Sequence, residues 1–100
     1  MLVKVDVLFK YIEQCSPSTD DSGNTIYKKY KVVFDAPNGD GKLKEEEVTF
    51  LADNKDLAQK LLDKEDSKNS VTYIPADFTI DIKKGRYGMY FELVNVTFND

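Results

Sequence analysis

Asp53-Asn54-Lys55-Asp56-Leu57-Ala58-Gln59-Lys60-Leu61-Leu62 carries its apolar residues at i, i+1, i+4 and i+5, a spacing that gathers Leu57, Ala58, Leu61 and Leu62 on one side of an α-helix. Asp53 or Asn54 offers a side-chain acceptor to the first free amides, so a short helix is predicted to start here. Lys64 to Ser70 reads as the polar connection that ends it. Elsewhere the apolar residues follow the period of strands.

Upstream, Val3, Val5, Val7, Phe9 and Tyr11 alternate with Lys4, Asp6 and Lys10, as in a half-buried strand. Residues 13–24 lose that pattern and fill with Ser, Pro, Asp, Gly and Asn, which predicts a loop of about a dozen residues. From Thr25 to Asp35, Ile26, Tyr30, Val32 and Phe34 share one face, while Tyr27, Lys29, Lys31 and Val33 share the other. Ala36-Pro37-Asn38-Gly39-Asp40-Gly41 is a turn by composition, and a third strand from about Lys42 to Leu51 completes a hairpin. Downstream, Val71 to Ile74 and Phe78 to Ile82 resume alternation, with Pro75 marking a bend, edge or bulge. The last strand runs from about Tyr87 to Phe98, with Met89, Phe91 and Leu93 opposite Tyr90, Val94 and Val96.

Three strands, one helix and two strands is the order of an OB-fold. The expected architecture is therefore mainly β: a five-stranded OB-like Greek-key barrel with one short helix between strands 3 and 4. A chain of 100 residues suits one such domain, and there is no internal repeat.

With 41% hydrophobic and 32% charged residues, the composition is that of a soluble globular protein. No apolar run approaches the roughly 20 residues needed to cross a bilayer, and Met1-Leu2-Val3-Lys4-Val5-Asp6 alternates where a signal peptide would be uniformly apolar. Cys15 has no partner for a disulfide, and the Asn95-Val96-Thr97 sequon means little without secretion, so the cytoplasm is the expected compartment. The formal charge of −4 disfavours indiscriminate binding to polyanions, so such binding needs a local basic surface. Lys28, Lys29 and Lys31 form one cluster and Lys83, Lys84 and Arg86 another, whereas acids gather at Glu45-Glu46-Glu47 and from Asp53 to Asp66.

OB-folds bind oligonucleotides across strands 2 and 3 and through the loops joining strands 1 to 2 and 4 to 5. Here those places are Tyr27, Lys29 and Lys31, residues 13–24, and Lys83-Lys84-Gly85-Arg86-Tyr87. The hairpin Ile80-Asp81-Ile82-Lys83-Lys84-Gly85-Arg86-Tyr87-Gly88-Met89-Tyr90-Phe91 resembles the basic, aromatic hairpin of the small single-stranded DNA-binding proteins of bacteriophages and mobile elements. The resemblance extends over the whole order of elements. It implies a sequence-tolerant binder of single-stranded DNA in replication or recombination. Tyr27, Tyr87 and Tyr90 would stack on bases, and Lys29, Lys31, Lys83, Lys84 and Arg86 would contact phosphates. Gly85 and Gly88 would let the backbone approach the ligand. The expected partners are single-stranded DNA, a second copy in a homodimer, and replication or recombination proteins, with no membrane partner and no cofactor. The chain ends at Phe98-Asn99-Asp100 without the long acidic tail by which bacterial members recruit repair enzymes, so recruitment of that kind is not expected.

Three other readings compete. Ala36 to Glu47 has EF-hand-like spacing, but Ala36 stands where the first carboxylate belongs and the flanks alternate like strands, so it reads as a hairpin turn and no metal site is expected. With no histidine, no base to activate Cys15 and no phosphate-binding glycine motif, the chain is not expected to be an enzyme. The stronger rival is an acidic protein-interaction module, a subunit of a phage or plasmid assembly that docks by strand addition or an aromatic patch. In the nucleic-acid reading, cations surround the exposed rings; in the rival, they do not.

Overall fold

Asn54 caps the helix in the computed structural model, which describes residues 1–67 and 73–99. Its Oδ1 accepts the Leu57 amide at 3.3 Å and its carbonyl accepts the Ala58 amide at 3.1 Å. The helix, α1 (Lys55–Ser67), buries Leu57, Ala58 and Leu61, and half-buried Leu62 packs against the same core. Around it lie β1 (Leu2–Thr19), β2 (Thr25–Pro37), β3 (Leu43–Leu51), β4 (Ile74–Gly85) and β5 (Gly88–Phe98). The strands close a barrel in the order β1-β2-β3-β5-β4, with α1 between β3 and β4, which is the expected OB-like architecture.

Closure comes from two seams of unequal strength. β1 and β4 pair antiparallel from Leu2 opposite Asp81 to Phe9 opposite Ile74. β3 and β5 meet in parallel through one bridge, Thr49 with Glu92. Inside, Phe9, Phe78, Leu61, Leu93, Val32 and Val96 are fully buried. Phe34 meets Phe78 edge-on with ring centroids 5.0 Å apart, and Tyr30 stacks on Phe50 at 5.4 Å. Each such apolar side chain removed from water stabilises the fold by about 1.5–3 kcal/mol.

The structure departs from the sequence reading at several points. Residues 13–24 are not a long loop: β1 continues to Thr19 and pairs with β2 as far as Thr19 opposite Thr25. Only a tight turn remains, in which Asp20 Oδ1 accepts the amides of Ser22 and Asn24, and Gly23 takes a φ of 83°. This end of the β1–β2 ribbon projects beyond the barrel. Because the β4 pairing stops at Phe9, one edge of β1 is free here, and Pro17 is tolerated. With no buried face, nothing selects alternation.

Two bulges change which residues face inward. The register shifts between Phe9 and Tyr11, so Ile12 is buried and Tyr11 exposed, the reverse of strict alternation. A second shift, opposite Thr79 and Ile80, skips Val94 and turns both Leu93 and Val96 into the core, although the sequence set them on opposite faces. The helix also runs on to Ser67 through residues read as connection, their polar side chains being compatible with an outer turn. The expected strand start at Val71 and Thr72 lies outside the described residues. The EF-hand-like stretch is a hairpin turn between β2 and β3, where Asn38 Oδ1 accepts the amides of Asp40 and Lys42. Among the described residues no helix is long and apolar enough to cross a membrane.

Candidate nucleic-acid interface

The β4–β5 hairpin continues past the barrel wall, and its register dictates what meets there. Asp81 lies opposite Glu92, Lys83 opposite Tyr90, Lys84 opposite Met89 and Gly85 opposite Gly88. Gly88 closes the turn with a φ of 126°, a conformation that favours glycine. Gly85 has a packing role of its own. A Cβ there would lie 3.0 Å from Tyr90 Cε1, so its missing side chain makes room for the Tyr90 ring.

Between this hairpin and the end of β3 lies a cleft of about 290 Å³, lined by Lys29, Thr49, Phe50, Leu51, Lys83, Tyr90, Phe91 and Glu92. It sits astride the Thr49–Glu92 bridge. Tyr90 and Phe91 are each half exposed, and Leu51 adds apolar surface from the β3 side. Lys29 comes from β2, where it pairs with Leu51. The cleft thus brings together three of the expected residues, Lys29, Lys83 and Tyr90.

The other expected residues are placed differently. Lys84, Arg86 and Tyr87 occupy the exposed hairpin tip; Tyr87 is 94% exposed, with the Arg86 guanidinium 5.8 Å from its ring centroid. Tyr27 is exposed on the ribbon but lines another cavity, of about 360 Å³, with Tyr30, Ala52, Lys55, Ala58, Gln59 and Leu62 against α1. Lys31 is tied to Glu13 at 2.5 Å and Glu47 at 3.8 Å, so its ammonium already has carboxylate partners.

Lys83 is similarly engaged. Its Nζ donates to Glu92 Oε1 at 3.0 Å and lies 3.9 Å from Asp81 Oδ2. The Glu92 hydrogen bond, opposed by partial desolvation, holds the Lys83 pKa above its ordinary value, and the charges of Glu92, Tyr90 and Asp81 add to the rise. Lys31 is raised in the same way, chiefly by its hydrogen bond to Glu13. Among the described residues no ion pair engages Lys29, Lys84 or Arg86.

Sequence reasoning missed Phe91, Glu92 and Leu51. Phe91 had been set on one face with Leu93, but it lies where the hairpin has left the barrel, and so is half exposed while Leu93 is buried. The signal that could have found Glu92 was the hairpin itself: once Gly85 is set opposite Gly88, Glu92 falls opposite Asp81 and diagonal to Lys83.

Comparison with protein-family models, with curated proteins and with solved structures finds no match.

Proposed function

We propose that this protein binds single-stranded DNA with little sequence preference, through the β3–β5 cleft and the β4–β5 hairpin, and acts by binding rather than by catalysis. The observation that supports this reading is the cleft, where Lys29 and Lys83 flank the half-exposed rings of Tyr90 and Phe91 beside a tip carrying Lys84, Arg86 and Tyr87. A single strand presents both phosphates and open base faces, and this surface offers partners for each. Stacking contributes about 1–3 kcal/mol per base, and each neutralised phosphate adds a salt-dependent increment. The test is titration of the protein with a labelled oligo-dT of about 20–30 nucleotides at low and moderate salt, where counterion release predicts a marked loss of affinity. Unchanged oligonucleotide mobility at micromolar protein and low salt would sink the reading.

The acidic protein-interaction module keeps one observation in its favour: Lys31 and Lys83 already have carboxylate partners, while Met89, Tyr90 and Phe91 stay exposed. A protein that ignores oligo-dT at low salt would fit this second reading.

A further inference from the structure

Taking single-strand binding as the activity, we infer that Glu92 is a selectivity residue, an internal counter-ion on Lys83 that suppresses attraction for phosphate alone and leaves stacking on Tyr90 and Phe91 to decide what binds. Three observations carry this. First, Glu92 reaches Lys83 at 3.0 Å from within the cleft, and Asp81, opposite Glu92 in the register, places a second carboxylate 3.9 Å from the same ammonium. Second, the Glu92 backbone is held on both sides, opposite Asp81 in the β4–β5 ladder and through the bridge to Thr49. Third, the arrangement recurs on β2, where Glu13 from β1 and Glu47 from β3 hold Lys31.

A phosphate arriving at Lys83 has to displace Glu92 and approach Asp81, so much of its attraction is cancelled. A duplex hides its base faces and offers this surface mainly phosphates, and a chain of net charge −4 repels it further. A single strand brings bases as well, and stacking on Tyr90 or Phe91 needs no free cation. Glu92 therefore costs a single strand less than it costs a duplex or another polyanion.

The experiment compares the parent with Glu92→Gln, titrating each with labelled oligo-dT, a duplex of the same length, and heparin. Glu92→Gln is expected to bind duplex about two- to five-fold tighter, the range spanned by exposed ion pairs. Its gain on oligo-dT should be smaller, and its duplex salt slope should steepen by about 0.9, one phosphate contact. Asp66→Asn, which removes the same charge on α1, should not reproduce the gain, and Lys83→Ala should abolish it. Equal duplex affinity of parent and Glu92→Gln overturns the inference, as does a gain that Asp66→Asn matches or that survives without Lys83. If Glu92→Gln lowers the melting temperature, Glu92→Asp reads the same contact instead, its shorter side chain drawing the carboxylate back from Lys83; it should shift duplex binding in the same direction, and no shift counts against the inference. A parent that binds oligo-dT with no change of selectivity in Glu92→Gln sinks this inference alone. A parent that ignores oligo-dT, alongside a Glu92→Gln variant that binds duplex through Lys83, sinks the single-strand reading and retains the counter-ion. If neither protein binds any probe, both fail.

Discussion

Tyr87 stands at the hairpin tip, 94% exposed, so removing its ring leaves no cavity behind. Tyr87→Ala is expected to weaken oligo-dT binding by about 1–3 kcal/mol while thermal melting stays at the parent value. Unaltered affinity would remove Tyr87 from the interface. Neighbouring lysines should behave unequally. Lys84 has no carboxylate partner among the described residues, so Lys84→Ala should flatten the salt slope on single strands by about 0.7. Lys83→Ala should flatten it by less, because Glu92 already neutralises part of that charge. Equal slopes for the two variants would contradict the ion-pair account. The residue types of the site were legible in Lys83-Lys84-Gly85-Arg86-Tyr87, since cations and a ring around a glycine need no register to be noticed. Their carboxylate partners were not, because pairing across strands depends on an alignment that composition does not supply.

At the level of elements, α1 shows two kinds of stabilisation that denaturation can separate. Leu61 is fully buried beneath the barrel, and Leu61→Ala should cost about 2–5 kcal/mol in urea unfolding. Asn54 supplies only a cap, so Asn54→Ala should cost about 1 kcal/mol. A cap variant as damaging as the core variant would mean that the helix start does more than terminate hydrogen bonds. The helix and every strand with a buried face could be read from apolar spacing. The ribbon end of β1 could not, because both its faces meet solvent and its order comes from cross-strand backbone bonds. The bulges at Lys10 and Val94 were equally silent: one extra residue alters parity without altering composition.

For the whole molecule, the β1–β4 seam carries a pH-sensitive carboxyl, Asp6. Asp6 lies opposite Asp77, and the hydrogen bond and charge of Asp77, followed by desolvation, raise the Asp6 pKa above its ordinary 3.8. A carboxyl raised on folding stabilises the protein below its unfolded pKa, and that contribution is lost as pH rises through the folded value. Asp77→Asn removes the repulsion, so it should raise the melting temperature near neutral pH, with the advantage shrinking as the pH falls toward 3.8. Melting curves from pH 3 to pH 8 check this; an advantage that grew in acid would reverse the assignment.

The β3–β5 seam has a different consequence. Its two strands are joined by the single Thr49–Glu92 bridge, and the cleft draws its walls from both sides of that joint. A molecule resting on Lys29 and Leu51 while touching Tyr90 and Phe91 would splint the barrel at its thinnest weld. Occupancy and closure would then be thermodynamically linked, and an occupant at a hundred times its Kd would make the barrel harder to unfold by about 2.7 kcal/mol. The same reciprocity makes a breathing seam an affinity loss, so a substitution that loosened Thr49 from Glu92 would weaken the grip of the cleft without removing any group that touches the ligand.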